Sequence, residues 1–283
     1  MNDAIDRMVM LDGADVPELL NIELGGGTLL AYTCRSPDKE TENEDTVAAI
    51  PYGPDAAVLV VADGAGGLPM GRRASRIAVT SLEASLQVAM SETMLLRTAI
   101  LNGIDEANKA VLALGGGSAT TLTVVTIEGL VARAYQIGDS EAIIVGQRGK
   151  LKAQTLAHSP TGFLVEAGFL DQRAALHHEE RHLVSNFLGT NDMRIDMGAT
   201  VELKPRDTVL LASDGLTDNI HIDEIVELVR KGPLATAIGK LTRLANRRMT
   251  GEARTQPSKP DDLSVILFRK NPRATGPRTP RRP

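Results

Sequence analysis

A continuous run of seven apolar residues is the feature that most constrains the fold of this chain. Residues 56–62 read AAVLVVA, and a turn signal, Asp63-Gly64, follows directly. The run is short and rich in β-branched side chains, which is typical of a strand buried on both of its faces. The fold must therefore place layers of structure on both sides of this strand.

The order of the other predicted elements decides the fold class. Apolar residues recur at helical spacing in residues 70–90 and 95–114, whereas short β-branched runs separated by turn signals fill residues 119–155. Further strands are predicted at 28–33, 199–203, 208–213 and 263–268, and helices at 160–170, 222–230 and 233–248. Runs of strands beside runs of helices favour an α+β fold with antiparallel sheets and helices packed outside them.

The chain divides into three parts by sequence. Residues 1–23 are predicted to be a short N-terminal extension with weak helical periodicity, and residues 24–269 to form one domain. Residues 270–283 are a basic Pro/Arg tail that is predicted to be disordered. The tail is alternatively a docking segment for an acidic partner, and less favourably a nucleic-acid contact.

The composition excludes several functional classes. The net charge is -5, but the last 15 residues hold six bases and no acid, which leaves 25 bases against 36 acids in residues 1–268. Such an acidic body repels nucleic acid, and 2% aromatic residues supply few stacking platforms. One cysteine, Cys34, rules out a disulfide framework, and we interpret it as a core residue. With no membrane-length apolar run and no signal-peptide pattern, we expect a cytoplasmic protein that binds neither membrane nor nucleic acid.

Acidic residues recur at the ends of predicted buried strands. Asp63, Asp139 and Asp214 each follow a strand, while Asp261 and the pair Glu44-Asp45 each precede one. Each acid taken alone is also a common turn former. If the acids converge, however, their burial costs several kcal/mol unless cations compensate the charge. Oxygen ligands favour Mg²⁺ or Mn²⁺ over Zn²⁺, and the histidines show no ligand spacing typical of zinc.

Ordered motifs over residues 32–268 resemble those of the type 2C metal-dependent Ser/Thr protein phosphatases. The matching segments are NED at 43–45, VADGAGG at 61–67, SATTL at 118–122, QIGDS at 136–140, LASDGLTD at 211–218 and DDLS at 261–264. Each segment is weak evidence alone, but their shared order and spacing are specific. The lack of a histidine at Ala65 is typical of the bacterial branch.

The resemblance implies a four-layer αββα sandwich of two antiparallel sheets flanked by helices, with a binuclear Mn²⁺ or Mg²⁺ centre at one edge. Asp63 would bridge the two ions, and the Gly64 carbonyl would bind one of them. Asp214 and Asp261 would bind the other ion, Glu44 and Asp45 would hold metal-bound waters, and Asp139 with Asp214 would form a looser third site.

The implied reaction is hydrolysis of phosphoserine or phosphothreonine by a hydroxide that bridges the metals. Asp63 and Asp139 are thus the predicted catalytic acids. The family places a phosphate-gripping base where this chain has Glu40, so Lys39 is the predicted substitute and Arg35 the alternative. Asp218 would help to protonate the leaving group, or would cap the helix that begins near Ile222.

The expected partners are a phosphorylated protein and an opposing Ser/Thr kinase or a partner-switching regulator, and we expect the protein to be a monomer. One alternative function is a pseudophosphatase that keeps the fold and binds a phosphoprotein, which the departures at Glu40 and Ala65 favour. Another is a small-molecule phosphatase or a different two-metal hydrolase. His177, His178 and His182 lie in a polar stretch that is predicted to cover the site as a flap.

Overall fold

Two antiparallel sheets stack face to face in the computed structural model, which describes residues 7–65, 70–252 and 256–271. The first sheet has the order β1-β4-β5-β6-β7-β10, with β11 also paired to β7, and the second has the order β2-β3-β13-β12-β8-β9. The strands are β1 Val9–Asp12, β2 Glu18–Leu24, β3 Gly27–Cys34, β4 Asp45–Pro51, β5 Ala56–Asp63, β6 Leu122–Glu128, β7 Val131–Ile137, β8 Glu141–Val145, β9 Leu151–Gln154, β10 Asp196–Met197, β11 Val201–Glu202, β12 Thr208–Ala212 and β13 Leu263–Lys270.

Helices cover the outer face of each sheet. They are α1 Gly71–Ser91, α2 Leu96–Leu112, α3 Pro160–Glu166, α4 Gln172–Ala175, α5 Asp214–Thr217, α6 Ile222–Val229 and α7 Leu234–Met249, with a 3-10 helix at Glu179–His182. The pair α1 and α2 packs on the first sheet, and α6 and α7 pack on the second. No helix in the described ranges combines the length and the apolar character that a membrane crossing requires.

Strand β5 shows why the sequence needs four layers. Val58, Val60 and Ala62 point toward α1 and α2, whereas Leu59 and Val61 point toward the second sheet. All five side chains are fully buried, because successive side chains of a strand face opposite sides and both sides are covered here. The predicted αββα sandwich, including the strand buried on both faces, is confirmed.

The structure corrects the prediction that residues 1–23 form an extension with helical periodicity. Strand β1 pairs with β4 in the first sheet, and β2 pairs with β3 in the second. Leu20, Ile22 and Leu24 pack into the core between the sheets, so the segment has the two-residue alternation of a strand. The folded domain therefore begins near Val9 instead of residue 24.

Smaller differences concern the ends of elements. Strand β6 begins at Leu122 and not at 119, because the residues before it bond to the turn that follows β5. The last strand runs through Lys270, whose ammonium bonds to Asp55 at 2.7 Å, so the predicted tail loses its first residue to the sheet. The rest of that tail, from residue 272 onward, lies outside the described residues. Helices α1 and α2 are confirmed almost residue for residue.

The chain passes from one sheet to the other at the edge where the predicted acids lie. Strand β7 belongs to the first sheet and β8 to the second, and the crossing between them is Gly138-Asp139-Ser140. Residues 160–185, which contain α3, α4 and the 3-10 helix, follow β9 and form a segment that we call the flap. The edge of the sandwich and the flap together position the site.

A pair of substitutions in α1 tests the outer core. Leu82 is fully buried between α1, α2 and the first sheet, whereas Val88 on the same helix is 58% exposed. We expect Leu82→Ala to lower the free energy of unfolding by about 3 kcal/mol, because it leaves a cavity. Val88→Ala should change it by less than about 0.5 kcal/mol. Urea denaturation of both variants measures the difference, and equal losses would contradict the described packing.

Candidate metal centre

Asp63 ends β5 and is held by two threonines of the segment before β6. The Thr121 backbone N–H and the Thr120 hydroxyl both donate to the Asp63 carbonyl at 2.8 Å. The Asp63 N–H in turn donates to the Thr121 Oγ1 at 3.0 Å. These bonds fix the backbone at Asp63 from both sides, so the carboxylate is held at the edge of the sandwich.

Asp45 begins β4 and lies directly opposite Asp63 in the antiparallel register. Its side chain is fully buried. The hydroxyl of Ser213, which directly follows β12 of the second sheet, donates to Asp45 Oδ2 at 2.8 Å. Asp45 Oδ1 has no hydrogen-bond partner among the described residues. A buried carboxylate oxygen without a donor is costly unless a ligand or cation satisfies it.

The backbone of Gly64 passes close to the backbones of Glu44 and Gly71. The Gly64 N–H donates to the Glu44 carbonyl at 3.1 Å, and a Cβ at Gly64 would collide with the backbone of Gly71. Glycine is therefore required here by close approach. The role of the Gly64 carbonyl as a metal ligand stays a prediction.

Asp214 and Asp261 converge from the two central strands of the second sheet. Asp214 follows β12 as the first residue of α5, and Asp261 lies two residues before β13. The ammonium of Lys259 contacts Asp214 Oδ2 and lies 2.9 Å from Asp218 Oδ2 and 3.4 Å from Asp261 Oδ2. All three carboxylates are therefore within reach of one cation, and in this structure the cation is a lysine.

Asp139 lies at the crossing between the sheets, and a buried histidine holds the turn before it. The Gly138 N–H donates to His158 Nδ1 at 3.1 Å, and the His158 N–H donates to the Gly138 carbonyl at 3.0 Å. Gly138 has a φ of 99° and packs against Thr121, a conformation that favours glycine. His158 thus has a structural role.

The carboxylates raise one another's pKa values. Burial, then repulsion from Asp45, Asp214, Asp261 and Asp139, raises the pKa of Asp63 well above its usual range. Burial and the neighbouring Asp214 raise the pKa of Asp261 to about 7. The pKa values of Asp45 and Asp139 are raised for the same reasons. The carboxylates that perturb one another in this way lie near the same edge of the sandwich, and their role as metal ligands stays a prediction.

Lys39 belongs to a second ion pair beside this cluster. Its ammonium lies 2.6 Å from Glu44 Oε2 and 2.6 Å from Asp262 Oδ2. Burial opposes the charge on Lys39, but the hydrogen bonds to Asp262 and Glu44 outweigh it and raise the pKa. Asp262 also accepts the backbone N–H groups of Ser36 and Glu44, both at 2.8 Å. Lys39 thus bridges the carboxylates of Glu44 and Asp262 beside the cluster.

The alternative candidates have other contacts. Arg35 pairs with Asp15 at 3.2 Å. Asp218 pairs with Lys259. The prediction that Asp218 is the N-cap of the helix near Ile222 is wrong, because the N-cap residue of α6 is His221. Cys34 is a buried residue at the end of β3, where it faces Leu263 of β13.

The donor set fits divalent cations. Asp45 Oδ1 and Asp214 Oδ1 are both buried and both lack a hydrogen-bond partner among the described residues, and every donor in the cluster is an oxygen, which suits Mg²⁺ or Mn²⁺. Across residues 7–65, 70–252 and 256–271, no three acids, histidines or cysteines are already posed around a common point as metal ligands. In this structure the Lys259 ammonium contacts Asp214, Asp218 and Asp261 in place of a metal ion.

Sequence reasoning found the acids and missed several of the groups that hold them. Lys259 and the pairing of Lys39 with Asp262 were not predicted, nor was the bond from Ser213 to Asp45. A signal for Lys259 was present in the segment KPDD at 259–262, where a base stands two residues before an acid that opens a buried strand.

Comparison with known proteins identifies the family. The family model for protein phosphatase 2C matches residues 37–249. The protein phosphatase PhpP of Streptococcus pneumoniae serotype 2 (strain D39) is 33% identical over 217 residues, which are 74% of this chain and 87% of that protein. The chain belongs to the protein phosphatase 2C family.

Solved structures agree with this assignment. A PPM Ser-Thr phosphatase, MsPP from Mycobacterium smegmatis, in complex with cacodylate, is 27% identical with a TM-score of 0.70, covering 86% of this chain and 98% of the other. The catalytic domain of the serine threonine protein phosphatase PstP in complex with two manganese ions is 25% identical with a TM-score of 0.66, covering 85% and 96%. The predicted membership of this family is confirmed.

Replacing Lys259 tests its position among the carboxylates. In metal-stripped protein, Lys259→Met should lower the free energy of unfolding by about 3 kcal/mol, because it leaves buried carboxylates without a counter-charge. Calorimetric titration should also show tighter Mn²⁺ binding, because no ammonium competes. Lys240→Met is the control, since Lys240 is exposed on α7 and has no ion pair among the described residues. Unchanged stability and Mn²⁺ affinity in Lys259→Met would refute the described contacts.

The raised pKa values predict how pH changes the stability of metal-stripped protein. The folded-state pKa of Asp261 is raised to about 7 and that of Asp218 to about 6, above the value of about 3.9 for an unfolded aspartate. The folded state therefore binds more protons than the unfolded state at these two aspartates. Their contribution to the free energy of unfolding is lost as pH rises through the folded-state pKa values of about 6 and about 7.

Melting temperatures of wild type and Asp261→Asn between pH 5.5 and 8 measure this effect. The variant should gain stability relative to wild type as pH rises, because asparagine never ionises. A difference between the two proteins that stays constant with pH would contradict the raised pKa of Asp261.

Proposed function

We propose that this protein is a Mn²⁺- or Mg²⁺-dependent protein phosphatase that hydrolyses phosphoserine and phosphothreonine. The observation that carries the proposal is the convergence of Asp45, Asp63, Asp139, Asp214 and Asp261 at one edge of the sandwich. Membership of the protein phosphatase 2C family and relatives that are named Ser/Thr phosphatases support it. These relatives give no support to a pseudophosphatase, and no described contact favours that alternative.

Four carboxylates would hold the cations. Asp63 and Asp45 come from the first sheet, and Asp214 and Asp261 come from the second. Asp139 would contribute to a third, looser position beside Asp214. When bound, the cations would activate a water molecule for attack on phosphorus and neutralise the phosphoryl charge.

Protein groups around the cluster would orient the phosphoryl group and the leaving group. Lys39 uses two of its three N–H donors on Glu44 and Asp262, so one donor remains for a phosphate oxygen. Burial raises the pKa of Asp218 to about 6, so its carboxyl group is mostly ionised at neutral pH, where it pairs with Lys259. It would hold a proton for the departing serine or threonine oxygen only at lower pH. The carboxylate positions are set by hydrogen bonds in advance, which reduces reorganisation during the reaction.

The cellular setting is also a proposal. The action of a protein phosphatase requires a Ser/Thr kinase that makes its substrate, so we propose a signalling role in the cytoplasm, opposite a kinase or in a partner-switching pathway. The single cysteine suits a reducing compartment. We further propose that the protein acts as a monomer, and that its acidic body keeps it from nucleic acid and from membranes.

Substitution of Asp63 tests the proposed reaction. With a phosphothreonine peptide and Mn²⁺, Asp63→Asn should lower kcat/KM by at least about 100-fold, because a shared cation ligand is lost. A chelator should abolish wild-type activity. Phosphate release measures both effects.

Two controls make this result specific. Asp105→Asn, an exposed change on α2, should leave activity unchanged. The melting temperature of metal-stripped Asp63→Asn should equal or exceed that of wild type, because a neutral side chain replaces a buried acid with a raised pKa. Activity that survives the chelator, or no activity in the wild type, would overturn the proposed function.

A further inference from the structure

A cavity of about 370 Å³ lies between the flap and the second sheet, and it is continuous with the acid cluster. Asp139, Asp214 and Asp218 form part of its lining, and the flap residues from Thr161 to Arg181 close the other side. Its volume is at the lower end of the range of about 300–1,000 Å³ for ligand pockets. It is large enough for a long side chain from a molecule whose phosphate lies at the cluster.

One part of the cavity wall is apolar, beside polar lining residues such as Ser159, Thr161 and Gln172. The apolar lining residues come from the segment after β9, from the flap, and from α6 and the residues before it. They are Leu156, Val165, Ile220 and Ile225. These side chains offer no hydrogen bonds, so a ligand in contact with them needs an apolar stem.

Acids supply the charge inside the cavity. Glu141, the first residue of β8, lines the cavity and accepts a hydrogen bond from Gln154 at 2.7 Å. Among the described residues Glu141 has no basic partner, and neither has Glu166 at the flap side of the cavity. Gln154 is neutral, so it gives the Glu141 carboxyl group a hydrogen bond but no counter-charge.

The one arginine in the described lining does not change this balance. Arg181 donates to the carbonyl oxygens of Leu176 and Ser258, so its guanidinium is occupied by backbone groups. Asp139 and Asp214 are assigned to cations, and Asp218 is paired with Lys259. The two remaining acids of the lining, Glu141 and Glu166, still outnumber Arg181. The cavity therefore repels anions and attracts a cation with an apolar stem.

We propose that this cavity binds a basic side chain of the phosphoprotein substrate, an arginine in preference to a lysine, close in sequence to the phosphorylated residue. This inference rests on the proposed function, because that function places the phosphate at the acid cluster. The aliphatic part of the arginine would lie along the apolar part of the wall, and its guanidinium would bind Glu141. A planar guanidinium pairs with a carboxylate through two hydrogen bonds, which favours arginine at a partly buried acid.

Matched phosphothreonine peptides test the proposal. Each peptide carries one arginine at one of the three positions on either side of the phosphothreonine, or citrulline at the same position, which has nearly the same shape without the charge. In wild type we expect kcat/KM to be about tenfold higher for arginine than for citrulline at one or more positions. Glu141→Gln should reduce that preference to about twofold or less, while its activity on p-nitrophenyl phosphate and on the citrulline peptides stays unchanged.

An acid of the flap that lies outside the cavity provides the control. Glu179 is exposed in the 3-10 helix and does not line the cavity, so Glu179→Gln should keep the arginine preference. The absence of an arginine preference in wild type would overturn the proposal. So would a preference that survives in Glu141→Gln, or one that falls equally in Glu179→Gln.

Binding measurements separate this proposal from the proposed function. Fluorescence anisotropy of the same labelled peptides reports the arginine preference without turnover. If no peptide and no p-nitrophenyl phosphate is hydrolysed, the proposed function fails. The anisotropy measurement still shows whether the cavity binds arginine in preference to citrulline. Equal affinity for arginine and citrulline peptides in wild type would then reject it.

Discussion

Repulsion between buried carboxylates is the interaction on which the rest of this structure depends. Asp45, Asp63, Asp139, Asp214 and Asp261 share one edge of the sandwich, and burial together with mutual repulsion disfavours their charged forms. Apolar packing alone cannot offset several such charges, so the edge needs cations. Lysine ammonium groups supply part of that charge at two points, and divalent ions suit the remaining unpaired oxygens.

The neighbouring polar groups hold these acids in place without neutralising them. Thr121 fixes the backbone at Asp63, Ser213 donates to Asp45, and His158 fixes the turn before Asp139. Hydrogen bonds of this kind orient a carboxylate and leave its charge available for a cation. Because these donors come from both sheets and from the loops between them, the cluster depends on the whole sandwich and not on one motif.

The sequence predicted those parts of the fold whose signals are local. The apolar run of β5 and the helical spacing in α1 and α2 indicate their structures directly, and the acids at strand ends indicate the site. Strands β1 and β2 were missed because both lie at sheet edges, β1 has only four residues, and the alternation of Leu20, Ile22 and Leu24 in β2 is brief. The pair between Lys39 and Asp262 joins residues 223 positions apart, so no local pattern could predict it. Lys259 is comparable, because its three carboxylate contacts become visible only once the strands are placed.

The division of the acids between two sheets has a mechanical consequence. Asp45 and Asp63 move with the first sheet, Asp214 and Asp261 move with the second, and between the sheets lies a layer of apolar side chains that includes Leu59, Val61 and Phe268. The separation between the two halves of the site is therefore set by the thickness of this layer. Close-packed interiors transmit changes of volume as displacements of backbone. Substitutions that change the size of these buried side chains would thus change the distance between the bound cations. The evolution of the core is therefore constrained by the reaction at the site.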